Sequence, residues 1–186
     1  MKKSILILAI SLVFCTVGMS QEFSFGIKGG LNLATLTGDD TDDLDSRTSF
    51  HIGGVANIPI NERVFIQPEL LYSGQGSSFD FGGEDIVTQL DYINVPILLG
   101  INLIEGLSVQ VGPQVGFNIN SEITDGDDSE DIDVETIDIS AALGAQYKLE
   151  NGIFFQARYS LGLTDVAEDA DVKNGVFGLS VGYFFQ

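Results

Sequence analysis

Residues 107–120 read LSVQVGPQVGFNIN, and the orientation of this stretch decides the fold. Its odd positions are apolar: Leu107, Val109, Val111, Pro113, Val115, Phe117 and Ile119. Its even positions are polar or glycine: Ser108, Gln110, Gly112, Gln114, Gly116, Asn118 and Asn120. Successive side chains leave a strand on opposite faces, so the segment has one oily and one hydrophilic side. A soluble barrel turns the oily side inward, and a barrel in lipid turns it outward. The hydrophilic side carries no charge and two glycines, a poor surface for a soluble strand. The same residues suit the bore of an eight-stranded barrel, which is only wide enough for side chains. The oily face is expected to point out.

Seven further segments repeat the pattern: 22–36, 48–60, 64–76, 90–103, 136–149, 153–163 and 175–185. Each covers the roughly 9–11 tilted residues that a bilayer requires. Helical spacing is absent beyond the N-terminal segment. The reading is all-β: an eight-stranded antiparallel up-and-down transmembrane β-barrel, closed so that no strand edge meets lipid. Outward-phase aromatics Phe23, Phe25, Tyr147, Phe155, Tyr183 and Phe185 gather toward one rim, and Phe50, Tyr72, Phe117 and Phe177 toward the other. Two such belts are expected at the lipid interfaces.

The connections alternate in length. Tight turns are expected at 61–63, 104–106 and 150–152, and long ones at 37–47, 77–89, 120–135 and 164–174. An up-and-down path then places both chain ends with the tight turns and all long loops at the opposite rim. Most of the chain's 27 acids fall in those loops. Short periplasmic turns and long extracellular loops are the layout of an outer-membrane barrel. The expected location is the bacterial outer membrane, with long loops extracellular and both termini periplasmic.

The N-terminal MKKSILILAISLVFCTVGMSQ has two lysines, an apolar run from Ile5 to Phe14, then small residues. That is a secretory signal peptide, expected to be cleaved after Ser20, leaving residues 21–186 as the barrel domain. The run is too short to span a bilayer as a helix. Bulky Phe14 before Cys15 argues against lipid attachment there. Cleavage removes the only cysteine, so no disulfide is expected. It also removes Lys2 and Lys3, making the chain two units more negative than its net −19. Nucleic acid is excluded as a partner at that charge. A composition 44% hydrophobic excludes a disordered acidic polymer.

FSFGIKGGLNLATL, VFIQPELLYSGQG, DYINVPILLGINL and the closing GLSVGYFF resemble the PorT-like outer-membrane β-barrel domain of Bacteroidetes. The resemblance covers residues 22–186, and its most specific part is QPELLYS (67–73) with YINVPILL (92–99). It implies an eight-stranded outer-membrane barrel, and it allows a role as accessory subunit of a protein-secretion machine. The C-terminus resembles the aromatic-ended insertion signal of such barrels, with Phe185 penultimate rather than last.

Charges inside a membrane barrel are costly unless paired. Lys28, Glu69 and Arg158 are inward-phase and lie about six residues from the tight-turn rim by strand counting. Strands three and seven of eight oppose each other, so a Glu69–Arg158 pair is expected across the lumen, joined by Lys28, Gln67 and Gln156. This network is expected to fill and fix the bore, which argues against a solute porin. His51, the only histidine, faces inward toward the loop rim with Asp91 and Asp138 as candidate neighbours and no serine evidently beside it. A lone base without a nucleophile is not an enzyme signature, and neither catalysis nor a cofactor is expected. TDGDDSEDIDVE, 124–135, offers Asp125, Asp127, Asp128 and Asp131 to a divalent cation but lacks the spacing of a calcium loop. Expected contacts are outer-membrane lipid and lipopolysaccharide, and envelope or secretion proteins. Inverting the faces would give instead a soluble calycin-like ligand-binding barrel.

Overall fold

The computed structural model of the chain describes residues 23–38, 45–81, 84–125, 128–132, 134–166 and 172–185. The expected signal peptide, 1–20, lies outside them. So do the side chains of Asp125, Asp127, Asp128 and Asp131.

The described residues form β1 (Ser24–Gly38), β2 (Asp45–Pro59), β3 (Val64–Phe81), β4 (Glu84–Ile104), β5 (Leu107–Asp125), β6 (Asp128–Asp131), β7 (Ile137–Lys148), β8 (Ile153–Gly162) and β9 (Val172–Phe185). Every pairing is antiparallel between neighbours along the chain, with β5 pairing both β6 and β7. The first and last barrel strands then close the ring from Phe25↔Phe185 to Gly38↔Val172. Eight strands make the closed barrel, and β6 is a short flap on the far end of β5.

The opening stretch is oriented as its chemistry requires. Val111 is 52% exposed and Phe117 43%, whereas Gln110 is 1% exposed and Gln114 5%. The same phase holds around the ring. Ile27 and Leu31 of β1, Ile52 of β2, Leu70 of β3, Ile97 and Leu99 of β4, Leu143 of β7 and Leu179 and Val181 of β9 are all exposed. The apolar wall therefore faces outward and the polar side chains face the lumen. That arrangement corrects the calycin-like alternative, which needs an apolar interior.

The tight turns are held by local chemistry. Asn61 Oδ1 accepts from the amides of Arg63 at 2.9 Å and Val64 at 2.9 Å, and Asn151 Oδ1 accepts from Ile153 at 3.1 Å. Gly106 in the second turn and Gly152 beside Asn151 in the third have φ 79° and 88°, a region only glycine enters without strain.

The long connections differ from the sequence expectation. Residues 77–81 and 84–89 are strand, extending β3 and β4. Residues 121–125 likewise extend β5, with β6 paired to 122–125. Backbone pairing alone carries these extensions, because their side chains do not alternate. A register shift between Asp91 and Tyr92 in the β4–β5 ladder marks where the extension begins. The extra residue is Ile119 of β5, and Leu90, Asp91 and Tyr92 on the β4 side are consecutively buried, which breaks the alternation there.

Candidate functional site in the barrel lumen

Lys28 from β1, Gln67 and Glu69 from β3, and Gln156 and Arg158 from β8 converge at the middle of the lumen. Arg158 donates twice to the Glu69 carboxylate, Nη2 to Oε1 at 2.6 Å and Nη1 to Oε2 at 2.8 Å. Such a two-pronged geometry is the strong form of the ion pair. Lys28 Nζ lies 2.8 Å from the same Oε2 and donates to Gln156 Oε1 at 2.7 Å. Gln67 Nε2 donates to Glu69 Oε1 at 2.8 Å. All five residues are buried.

Two glutamines that sequence reasoning did not single out complete the layer. Gln156 Nε2 donates to Gln110 Oε1 at 2.7 Å. Gln110 Nε2 in turn donates to Gln67 Oε1 at 3.1 Å and Gln146 Oε1 at 3.2 Å. Their inward phase, Gln110 in the opening stretch and Gln146 in β7, was the available signal. Buried charges are tolerable when both partners keep their hydrogen bonds, and the glutamine ring supplies them here.

His51 lies beside this layer with partners other than those expected. Its Nε2 is 2.7 Å from Ser180 Oγ, and its Nδ1 is 2.8 Å from Asn32 Oδ1. Asp91 instead accepts from Gln89, and Asp138 from Asn174. A serine does sit next to His51, contrary to the sequence reading. The register explains it: Gly30 pairs with His51 on one side and Ser180 on the other. A Cβ at Gly30 would lie 1.9 Å from the Leu179 carbonyl oxygen, so no side chain separates the two. Asn32 Nδ2 donates to the Gly74 carbonyl at 2.8 Å, which turns its Oδ1 toward His51. Nδ1 therefore carries the imidazole proton, and Nε2 accepts from the Ser180 hydroxyl.

That order, serine to histidine to amide, is one that can polarise a hydroxyl. The adjoining cavity is about 30 Å³. Sites for small organic ligands run to roughly 300–1,000 Å³. No acyl or glycosyl group fits beside Ser180, so the arrangement serves hydrogen bonding. Among the described residues, no group of three His, Cys, Asp or Glu side chains could hold a metal ion.

Apolar layers lie beyond the polar one. Val55, Phe154 and Phe184 pack together toward the tight turns, with the two rings 4.7 Å apart. Phe65 lies on Gly100 in the same end of the barrel. At the loop end Leu90, Tyr92 and Val166 form a second cluster, flanked by Leu36, Ile132 and Val134.

The sequence matches the profile of the outer membrane protein beta-barrel domain family over residues 19–168. The fold is similar to that of Ail, the attachment invasion locus protein of Yersinia pestis. The TM-score is 0.59 at 19% identity, covering 89% of this chain and 100% of that one. Neisserial surface protein A is similar at TM-score 0.60 and 15% identity, over 89% of this chain and 100% of that one. Ail in complex with the heparin analogue sucrose octasulfate gives 0.55 at 17% identity, with the same coverage. These likenesses concern the fold alone. No curated protein matches the chain.

Proposed function

The chain belongs to the outer membrane protein beta-barrel domain family, and from that premise we propose that it is a surface-interaction barrel with a filled bore, not a solute porin. The carrying observation is length. β3, β4 and β5 have 18, 21 and 19 residues, whereas about 9–11 cross a bilayer. The outward apolar run ends near Tyr72, Ile93 and Ile119, and the strands continue as a sheet beyond it. This sheet and the acid-rich loops face the exterior, with residues 1–20 a cleaved leader and both termini in the periplasm. The acidic end favours basic partners or cation-bridged lipopolysaccharide and disfavours sulfated polyanions such as the one bound by Ail.

The orientation is tested by single-cysteine labelling of intact cells with a membrane-impermeant maleimide. Ser129→Cys in β6 should label, and Asn151→Cys in the β7–β8 turn should label only after lysis. The reverse pattern overturns the reading.

A PorT-like role in protein secretion is the second reading, resting on QPELLYS and YINVPILL, the segments that bring Gln67 and Glu69 into the lumen. It predicts that cross-linking in native membranes captures other envelope subunits in stoichiometric amount. Capture of lipid and lipopolysaccharide alone counts against it.

A further inference from the structure

The central ion cluster does not balance. Two cations, Lys28 and Arg158, share one carboxylate, Glu69, at distances of 2.6–2.8 Å. The other inward carboxylates described, Asp91 and Asp138, bond to Gln89 and Asn174. An uncompensated charge this deeply buried is unfavourable.

The imbalance adjoins a small cavity. The cavity of about 30 Å³ is lined by both cations and by no acidic side chain. One water needs roughly 10–15 Å³ on this measure, so the space admits two waters or one halide-sized ion. Further donors, Ser73, Ser160 and Gln114, line the wall. Arg158 is 7% exposed, yet its Nε–H has no hydrogen-bond partner among the described residues. An unmet guanidinium donor at a site of excess positive charge calls for an acceptor that carries negative charge.

We propose that the lumen binds one small monovalent anion, of the chloride, bromide or nitrate class, between Arg158 Nε and Lys28 Nζ. Lys28 has spent two of its three protons, on Glu69 and Gln156, and the third is available to the ion. Larger anions, sulfate among them, are excluded by volume. The ion neutralises the cluster and ties β1 to β8, the two strands that flank β9 in the ring.

The purified full-length barrel in detergent is unfolded thermally at constant ionic strength while gluconate is replaced by bromide. The midpoint should rise by several degrees along a saturating curve, with chloride and nitrate behaving alike and sulfate inert. Lys28→Met, which keeps the aliphatic stem, should flatten that curve. Bromide-soaked crystals of the unaltered protein provide a readout that no variant can spoil. An anomalous peak is expected beside Arg158 Nε. An anion-independent midpoint, or a lumen containing only water at high bromide, overturns the proposal.

Discussion

Glu69 is the residue on which the lumen depends, because it holds two cations that pair with no other carboxylate among the described residues. Removing one member of a buried ion group leaves the rest uncompensated, at a cost of roughly 3–5 kcal/mol. Glu69→Leu, which leaves Lys28 and Arg158 without their shared carboxylate, should lower stability by at least that amount, read by circular dichroism during urea unfolding from lipid. Replacing Lys28, Glu69 and Arg158 together by apolar residues should recover most of the loss, since exchanging a whole buried ion group is often neutral. An equal or larger loss in the triple variant would show that the charges themselves stabilise the barrel. At Gly100 the limit is steric: a Cβ would lie 2.1 Å from the Phe65 ring. Gly100→Ala should cost about 1–3 kcal/mol, and Phe65→Leu in the same chain should relieve it. The placement of Lys28, Glu69 and Arg158 was legible by counting along strands from the tight turns. The Ser180–His51 contact was not. Tilted strands in a barrel are staggered, so residues at unlike counts from the rim become neighbours, and here they meet over Gly30.

Among the elements, the strands that cross the apolar band were legible because lipid on one side and a polar bore on the other enforce strict alternation. β5 is the clearest case. Lysine or arginine at the bilayer midplane of such a strand costs roughly 2–4 kcal/mol, falling to about 0–1 near the interfaces. Val111→Arg should lose stability in the upper range, whereas Ser129→Arg in β6 should change it little. Urea unfolding from vesicles compares the two directly, and equal effects would deny that Val111 touches lipid. The extensions of β3, β4 and β5 were read as loops because nothing forces a pattern on them. Outside the apolar band, Gly74, Gly76 and Ser78 interrupt any alternation, and pairing follows from the hairpins already formed below. The bulge at Asp91 and Tyr92 was hidden for a related reason. Its extra residue, Ile119 of β5 opposite them, shifts the register without altering composition.

For the whole molecule, closure by β1 and β9 removes every free edge from the lipid zone and fixes a bore that side chains must fill. Three layers fill it in series: an aromatic one near the tight turns, the ion and glutamine layer, and an apolar one under the loops. The polar layer could be foreseen from the inward charges. The aromatic layer was legible only through phase, since the outward setting of Phe155 and Phe185 turns their neighbours Phe154 and Phe184 inward. A series arrangement has a definite electrical consequence, since any one intact layer blocks the path. The unaltered protein in planar bilayers should pass no steady current. Phe154→Ala with Phe184→Ala should pass none either, because the Arg158–Glu69 layer still closes the bore above them. Ion-sized steps should emerge only when Glu69, Gln156 and Arg158 of the polar layer and Leu90 and Tyr92 of the loop-end cluster are also reduced to alanine. Steady conductance in the aromatic double variant alone would mean that the polar layer is permeable, and that Lys28, Glu69 and Arg158 line a path instead of sealing one.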